Sequence, residues 1–174
     1  MQNNHLTLIG FAFIYLLFLF ISIPISFAQP SVTISNPIQI DQLHLKEYRS
    51  GSCQRSIQAQ HAETNEQNTL IYLDKPEFKI YSQSTTPKSI LTADKSQINL
   101  QKNLVEITGN VSLKLQNNTE FKTRELFWDT ATKKFYTPAA VTIIKDNHLI
   151  QGDNFEADEN FDLIQIGRFS AKSN

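Results

Sequence analysis

The sequence predicts an all-β domain, a twisted antiparallel stack of hairpins in two sheets, preceded by one N-terminal apolar helix. Three observations predict it: a repeat of about thirty residues, alternation of apolar and polar residues within each repeat, and Asn or Asp at the turns. The repeat is seen in residues that return at this spacing: Leu91, Asn99 and Val111 return as Phe121, Asp129 and Val141. Repeats of this size are typical of stacked supersecondary units with a continuous interior.

Residues 1–28 form a separate N-terminal segment, either a membrane anchor or a signal peptide. The chain is almost wholly apolar from Leu6 to Ile23. A membrane span needs about 20 apolar residues, whereas a signal-peptide core has about 7 to 15, so the length favours a retained anchor. Ser26-Phe27-Ala28 has the small-x-small form of a signal-peptidase site and favours cleavage. In both cases we expect the rest of the chain to be exported.

Residues 29–55 are predicted to be a linker, and residues 56–174 the folded domain. Pro30, Asn36-Pro37 and Ser50-Gly51-Ser52 are typical of linkers and turns. Within this stretch only Ile38-Gln39-Ile40 alternates as a short strand would. From Ser56 onward the alternation continues to the end of the repeats, with no helical period.

Two kinds of turn are predicted between the alternating runs. Asn117-Asn118 and Asp146-Asn147 separate adjacent runs, and both residue types tolerate the positive φ of tight hairpins. Wider turns are expected at 99–103, 129–133 and 158–160. Each repeat is therefore predicted to be one long hairpin with a tight end and a wide end.

The predicted interior lies between two sheets that fold towards each other and bury alternate side chains from both. An apolar inner face is the ordinary core of antiparallel sheets, but a seam left open along one side would make it a groove for acyl chains. The sequence leaves both interpretations open. The positions expected to line the groove are Phe78, Ile80, Leu91, Ala93, Val111, Leu113, Phe121, Thr123, Val141, Ile143 and Ile150.

A stack of hairpins leaves one unpaired strand at each end, expected near 56–63 and 162–169. Such edges add a strand from a partner, or they carry charges that prevent this. The residues expected to contact a partner by strand addition are Gln58, Gln60, Glu63, Gln165, Gly167 and Phe169.

The composition argues against nucleic acid, catalysis and a bound cofactor. Basic and acidic residues nearly balance, at 16 and 17, and the four histidines are scattered. Cys53 has no second cysteine to pair with, and no metal-ligand spacing or phosphate-binding loop is present in the sequence. We expect no enzyme activity, no cofactor and no metal site. One acidic group flanks a turn and is expected to be a solvated surface: Asp153, Glu156, Asp158 and Glu159.

An ordered set of short motifs resembles the LptC family of lipopolysaccharide export proteins. The set spans about 55–169 and follows the N-terminal apolar segment. It comprises Ala59-Gln60-His61-Ala62-Glu63, Lys75-Pro76, Leu91-Thr92-Ala93-Asp94-Lys95, Ile107-Thr108-Gly109-Asn110-Val111, Phe121-Lys122-Thr123 and Ile150-Gln151-Gly152. No single motif is specific, because Gly-Asn-Val also occurs in the related LptA and OstA-like domains.

The resemblance implies a twisted, V-shaped β-jellyroll, open along one side and attached to the inner membrane by one N-terminal helix. It implies that the periplasmic domain takes lipopolysaccharide from the inner-membrane LptB/LptF/LptG ABC transporter. It further implies that the lipid is handed to an LptA-like β-jellyroll of a periplasmic bridge.

Two alternatives remain beside this hypothesis. Ser26-Phe27-Ala28 and the segment Pro37-Ile38-Gln39-Ile40-Asp41 are similar to LptA-type proteins, which are soluble in the periplasm after signal removal. The other alternative is an exported structural β-solenoid with a filled core and no lipid ligand.

Overall fold

The computed structural model describes residues 37–81, 85–146 and 148–173, so the predicted segment 1–28 lies outside the described residues. These residues form fourteen strands: β1 Gln39–Arg49, β2 Ser52–Thr64, β3 Leu70–Asp74, β4 Glu77–Tyr81, β5 Pro87–Thr92, β6 Lys95–Asn99, β7 Leu104–Leu115, β8 Glu120–Asp129, β9 Lys134–Thr137, β10 Val141–Lys145, β11 His148–Gly152, β12 Phe155–Asp158, β13 Ile164–Gln165 and β14 Phe169–Ser173. Over these three ranges the chain contains no helix with the length and apolar character needed to cross a bilayer.

The strands form one antiparallel sheet bent into two halves, because four long strands run through both. Half-sheet A has the order β1, β2, β4, β5, β7, β8, β10, β11, β14. Half-sheet B has the order β1, β2, β3, β6, β7, β8, β9, β12, β13. In β7, residues 104–108 belong to B and 111–115 to A. The prediction of a V-shaped, all-β jellyroll is confirmed.

The bend in β7 lies at Gly109 and Asn110, which have φ angles of 71° and 35°. The register between β7 and β8 shifts at this point, as expected for a β-bulge that bends a strand. Asp94 supports the bend from the β5–β6 turn: it accepts a hydrogen bond from Asn110 Nδ2 at 2.7 Å and from Lys75 Nζ at 2.6 Å.

The wide turns stack on one another and explain the repeat in the sequence. Asn99 Oδ1 accepts hydrogen bonds from the amides of residues 101 and 102. Asp129 Oδ1 accepts the equivalent pair from residues 131 and 132. Backbone hydrogen bonds then join each turn to the one before it, Thr130 N to Asn103 O at 2.9 Å and Glu159 N to Lys133 O at 3.0 Å. The side-chain carbonyl of Asn or Asp thus recurs because each turn needs it.

The tight turns are found at the predicted places. Asn118 and Asp146 have φ angles of 61° and 47°, and each lies between two paired strands. Asn147, the second residue of the predicted Asp146-Asn147 turn, lies outside the described residues.

The prediction of a linker over 29–55 is wrong for the part that the structure describes. Residues 39–49 form β1, which pairs with β2 along its length, and β2 itself begins at Ser52. Gln42 has a φ angle of 55° where β1 passes from half-sheet B to half-sheet A. That bend shifts the alternation, with Ile40 before it and Leu43 and Leu45 after it, and so hides the strand.

Candidate functional site

The interior between the half-sheets is lined by one apolar row from each. The residues of each row are direct partners on neighbouring strands, so the rows cross the strands and run along the stack. Row A is Leu45, Ile57, Phe78, Leu91, Leu113, Phe121, Ile143 and Ile150. Row B is Ile71, Ile98, Val105, Trp128, Phe135, Ala157 and Ile164. Phe121 of half-sheet A meets Phe155 of half-sheet B with ring centroids 5.3 Å apart.

A cavity of about 90 Å³ remains between the rows. Its apolar lining comes from both half-sheets and includes Phe78, Leu113, Val105, Trp128 and Phe135. An engineered apolar cavity of roughly 150 Å³ in another protein holds one benzene molecule. The interior is therefore nearly filled in this conformation, and a fatty acyl chain enters only if something moves.

Most of the predicted groove residues meet in this interior. Six of them form part of row A: Phe78, Leu91, Leu113, Phe121, Ile143 and Ile150. Ile80 lines the cavity, and Ala93, Val111 and Val141 are buried in the same core. Thr123 differs, because its side chain is only half-buried and donates a hydrogen bond to Ala140 O at 3.0 Å. It lies at the bend of β8, where the alternation changes phase.

Several lining residues were not predicted from the sequence. Leu45 was missed because its strand was taken for a linker, and Trp128 because the alternation in β8 changes phase after Thr123. Phe161 was missed because it lies in a turn. An aromatic residue in a charged turn is the one sequence signal that points to it.

Charged residues lie beside the cavity at a place that we call the mouth: Arg55, Lys133 and Glu159 line the cavity, and the Lys88–Asp162 ion pair adjoins them through the 159–163 turn. Arg55 of β2 and Lys88 of β5 lie on the side of half-sheet A; Lys133, Glu159 and Asp162 lie in the turns of half-sheet B. Arg55 Nη2 donates to Glu159 Oε2 at 2.9 Å, and Lys133 Nζ lies 3.4 Å from the other carboxylate oxygen of Glu159. Lys88 Nζ donates to Asp162 Oδ1 at 2.7 Å.

These ion pairs correct one prediction. Glu159 was expected on a solvated surface, but its side chain is only 18 % exposed and that of Arg55 24 %. The Arg55 guanidinium also lies 5.6 Å from the centre of the Trp128 ring, close enough for a cation–π contact. The stacking of the 159–163 turn on the 129–133 turn, through Glu159 N and Lys133 O, brings Glu159 to the mouth.

The N-terminal partner edge was placed on the wrong strand. β2 has neighbours on both sides, β1 on one and β3 and β4 on the other, so Gln58, Gln60 and Glu63 do not lie on an edge. Among the described residues the edge strand is β1, which pairs with β2 alone.

At the other end, the predicted contact residues lie where the stack ends. Gln165 is on β13, the last strand of half-sheet B, and Phe169 on β14, the last of half-sheet A. Gly167 connects these two strands. Phe169 is 70 % exposed and Leu163 is 61 % exposed, so this end presents apolar side chains to solvent.

The shifted pKa values in this domain have local causes. A hydrogen bond that the protonated His61 ring donates from Nδ1 to Asp41 Oδ1, 2.8 Å away, raises the pKa of His61 above its usual value. Hydrogen bonds from Lys75 and Asn110 lower the pKa of Asp94. Within 37–81, 85–146 and 148–173, no three His, Cys, Asp or Glu side chains are grouped so that they would hold a metal ion. Cys53 is a free thiol whose Sγ lies 3.4 Å from Arg55 O.

Comparison with known proteins connects this architecture to a family. No curated protein matches the sequence significantly. Among solved structures, the chain is similar to LptH from Pseudomonas aeruginosa, the LptA-homologous periplasmic component of its lipopolysaccharide transport device. The TM-score is 0.52 at 12 % identity, over 69 % of this chain and 94 % of LptH, and this likeness shows a shared fold.

A family model for LptC, described as lipopolysaccharide-assembly, LptC-related, matches residues 6–166. The match covers most of the 174 residues, including every strand up to β13. The chain therefore belongs to the LptC family of lipopolysaccharide-assembly proteins.

Proposed function

We propose that this protein carries lipopolysaccharide from the inner towards the outer membrane, with the acyl chains held between the two half-sheets. The observation that carries the proposal is the pair of facing apolar rows, A and B, which run along the stack behind a charged mouth. Membership of the LptC family supports lipopolysaccharide as the cargo.

The chemistry of the interior suits such a lipid. Each methylene taken out of water contributes about 0.8 kcal/mol, so acyl chains favour a dry path, while the sugars stay in water outside the mouth. No bond is made or broken in this transfer, so no catalytic residue is required. Because binding alone only shifts equilibria, the direction of transport has to come from ATP hydrolysis by a transporter.

The proposed location and partners follow the same hypothesis. Residues 1–28 hold the chain in the inner membrane beside the LptB/LptF/LptG transporter, with the β-domain in the periplasm. Strands β13 and β14 receive an LptA-like β-jellyroll by strand addition, which makes the apolar path continuous. The exposed Phe169 and Leu163 at this end support the choice of edge.

Photocrosslinking in cells tests the cargo. Leu113 and Phe121 are buried in row A, whereas their neighbours Lys114 and Lys122 are exposed on the outer face. A photoreactive amino acid at 113 or 121 is expected to crosslink to lipopolysaccharide, and one at 114 or 122 is not. Equal yields at inner and outer positions, or none at any, would overturn the proposal.

A second candidate is a soluble, LptA-like bridge protein. The likeness to the periplasmic LptH and the Ser26-Phe27-Ala28 sequence favour it. Mass spectrometry of the mature protein separates the two candidates. A chain that keeps residues 1–28 in the membrane fraction supports the anchored protein, and a mature start at Gln29 supports the soluble one.

A further inference from the structure

The 159–163 turn differs from the wide turns at 99–103 and 129–133 in where it places the side chain of its positive-φ residue. Asn103, Lys133 and Phe161 have positive φ angles of 53°, 58° and 58° in successive turns. Asn103 and Lys133 are exposed to solvent, whereas Phe161 is 7 % exposed and stacks on Phe135 with ring centroids 4.9 Å apart. Positive φ is uncommon for a bulky residue. The 159–163 turn thus places a phenyl ring in the lining of the cavity.

Two carboxylates flank this phenyl ring, and both bind basic residues of half-sheet A. Glu159 pairs with Arg55 at 2.9 Å, and Asp162 pairs with Lys88 at 2.7 Å. Lys133 adds a second cation to Glu159 at 3.4 Å. The two pairs therefore join the half-sheets across the mouth.

The turn consequently has the chemical pattern of an anionic lipid. Its apolar group lies in the interior and its negative charges lie at the boundary with water. The lining also holds a buried donor without a hydrogen-bond partner, Trp128 Nε1, which a phosphate or sugar oxygen can accept from; Glu47 Oε2 in the same lining is an unpaired acceptor that a phosphate does not satisfy. Buried polar groups in proteins usually have hydrogen-bond partners. With the turn in place, these polar groups of the site lack them.

We propose that Arg55, Lys88 and Lys133 bind the phosphate groups of the transported lipid, and that the 159–163 turn occupies their site as an internal substitute which the lipid displaces. This inference rests on the proposed function, since it assumes that an acylated, phosphorylated glycolipid is the cargo. A phosphate group carries up to about two negative charges where a carboxylate carries one, so it competes effectively for the same cations.

Displacement of the turn also explains how an acyl chain could enter so small a cavity. The space of about 90 Å³ is too small for an acyl chain while Phe161 is in place. Moving the turn removes the phenyl ring and both cross-mouth ion pairs together. Because the lipid binds only when the turn is open, its apparent affinity is the intrinsic affinity multiplied by the fraction of molecules in which the turn is open.

The test uses the full chain in a non-ionic amphipol, titrated with bisphosphorylated lipid A, with phosphate-free lipid A and with inorganic phosphate. Trp128 is the single tryptophan of the chain and lies in the site, so its emission reports occupancy. Retention of radiolabelled lipid gives an independent measure of binding. Circular dichroism verifies that each variant keeps its sheet.

Two variants weaken the substitute without touching the cations. Glu159→Gln removes one carboxylate charge, and Phe161→Asn installs the residue of the equivalent turn at Asn103, which tolerates positive φ. Both are expected to bind either lipid about threefold to tenfold more tightly than the wild type. If both variants bind lipid with wild-type affinity, the 159–163 turn does not act as an internal substitute, although the proposed function stands.

A third variant tests the phosphate site. Arg55→Gln is expected to reduce the preference for phosphorylated over phosphate-free lipid A about tenfold. Both lipids must displace the same turn, so the free energy of opening the turn contributes equally to both affinities. It therefore cancels in their ratio, and the ratio reports the phosphate contacts alone. Arg124→Gln is the matched control, because Arg124 is exposed on β8 and lies outside the cavity lining.

Three further results would overturn the phosphate site or the proposed function itself. A preference unchanged in Arg55→Gln, or lowered equally in Arg124→Gln, overturns the phosphate site. A shift of Trp128 emission by inorganic phosphate as large as that by lipid also overturns it, because the site would then be a simple anion site. Failure of wild type and all variants to retain any lipid overturns both this inference and the proposed function.

Discussion

Gly109 and Asp94 lie so close together that a β-carbon on residue 109 would be 2.5 Å from Asp94 Oδ2 and 2.8 Å from Asp94 Cβ. Asp94 cannot retreat freely, because Lys75 and Asn110 both donate hydrogen bonds to its carboxylate. The bend of β7 is thus built around a glycine for two reasons, its positive φ angle and this close approach.

Gly109→Ala is therefore expected to destabilise the domain more than Gly51→Ala. Both glycines have positive φ, which costs alanine about 1 to 2 kcal/mol, but nothing lies within 4 Å of a β-carbon at Gly51. The contact with Asp94 should add about 1 to 3 kcal/mol at position 109. Denaturant unfolding of the two variants measures the difference, and equal losses of stability would contradict this account.

Leu113→Ala is expected to lower the free energy of unfolding by about 2 to 5 kcal/mol, because it leaves a void beside the existing cavity. Leu113 is 2 % exposed and lies in row A. The matched control is Leu163→Ala at the exposed end of the stack, which should change stability by less than about 0.5 kcal/mol. Urea titrations followed by circular dichroism provide the comparison.

Asp41 should make the stability of the β1–β2 pairing depend on pH through His61. Its hydrogen bond raises the pKa of His61 in the folded state above the ordinary value of 6.5. The folded state is therefore favoured below about pH 6.5, and this contribution is lost as the pH rises through the raised pKa.

Asp41→Asn should return the pKa of His61 towards 6.5 and remove this part of the pH dependence. NMR titration of the histidine ring protons measures the pKa, and unfolding at several pH values measures the stability. Since both side chains are accessible to solvent, a small effect is expected; an unchanged His61 pKa in the variant would show that Asp41 is not its cause.

The exposed end of the stack should capture a partner. A photoreactive residue at Phe169, on the last strand of half-sheet A, is expected to crosslink to a neighbouring β-jellyroll in cells. Tyr72 is the control, because it is 41 % exposed but lies on β3, which is paired on both sides. Crosslinks of equal yield from both positions would argue against strand addition at this end.

Local sequence patterns predicted most of the fold because the turns and the alternation repeat. The wide turns use the same side-chain hydrogen bonds at Asn99 and Asp129, so their spacing is visible in the sequence. The alternation also identified much of row A. It failed where a strand bends between half-sheets: Thr123 was predicted in the groove and is only half-buried, and Trp128 was missed.

The charged mouth was beyond the reach of sequence reasoning for a different reason. Arg55 and Glu159 are separated by 104 positions, and neither lies in a motif that distinguishes it from a surface charge. Only the stacking of successive turns brings Glu159 opposite the start of β2. Pairings that depend on the accumulated geometry of several repeats cannot be read from periodicity alone.

The strands shared by both half-sheets give the domain a particular mechanical behaviour. β2, β7 and β8 are hydrogen-bonded in A at one end and in B at the other, so the half-sheets cannot slide past each other without breaking ladders in both. The angle between the half-sheets is set at the bends of these strands, of which Gly109 and Asn110 in β7 are one. Because each shared strand is hydrogen-bonded to its neighbours in both half-sheets, one repeat cannot change this angle alone, and the width of the path is a property of the whole stack.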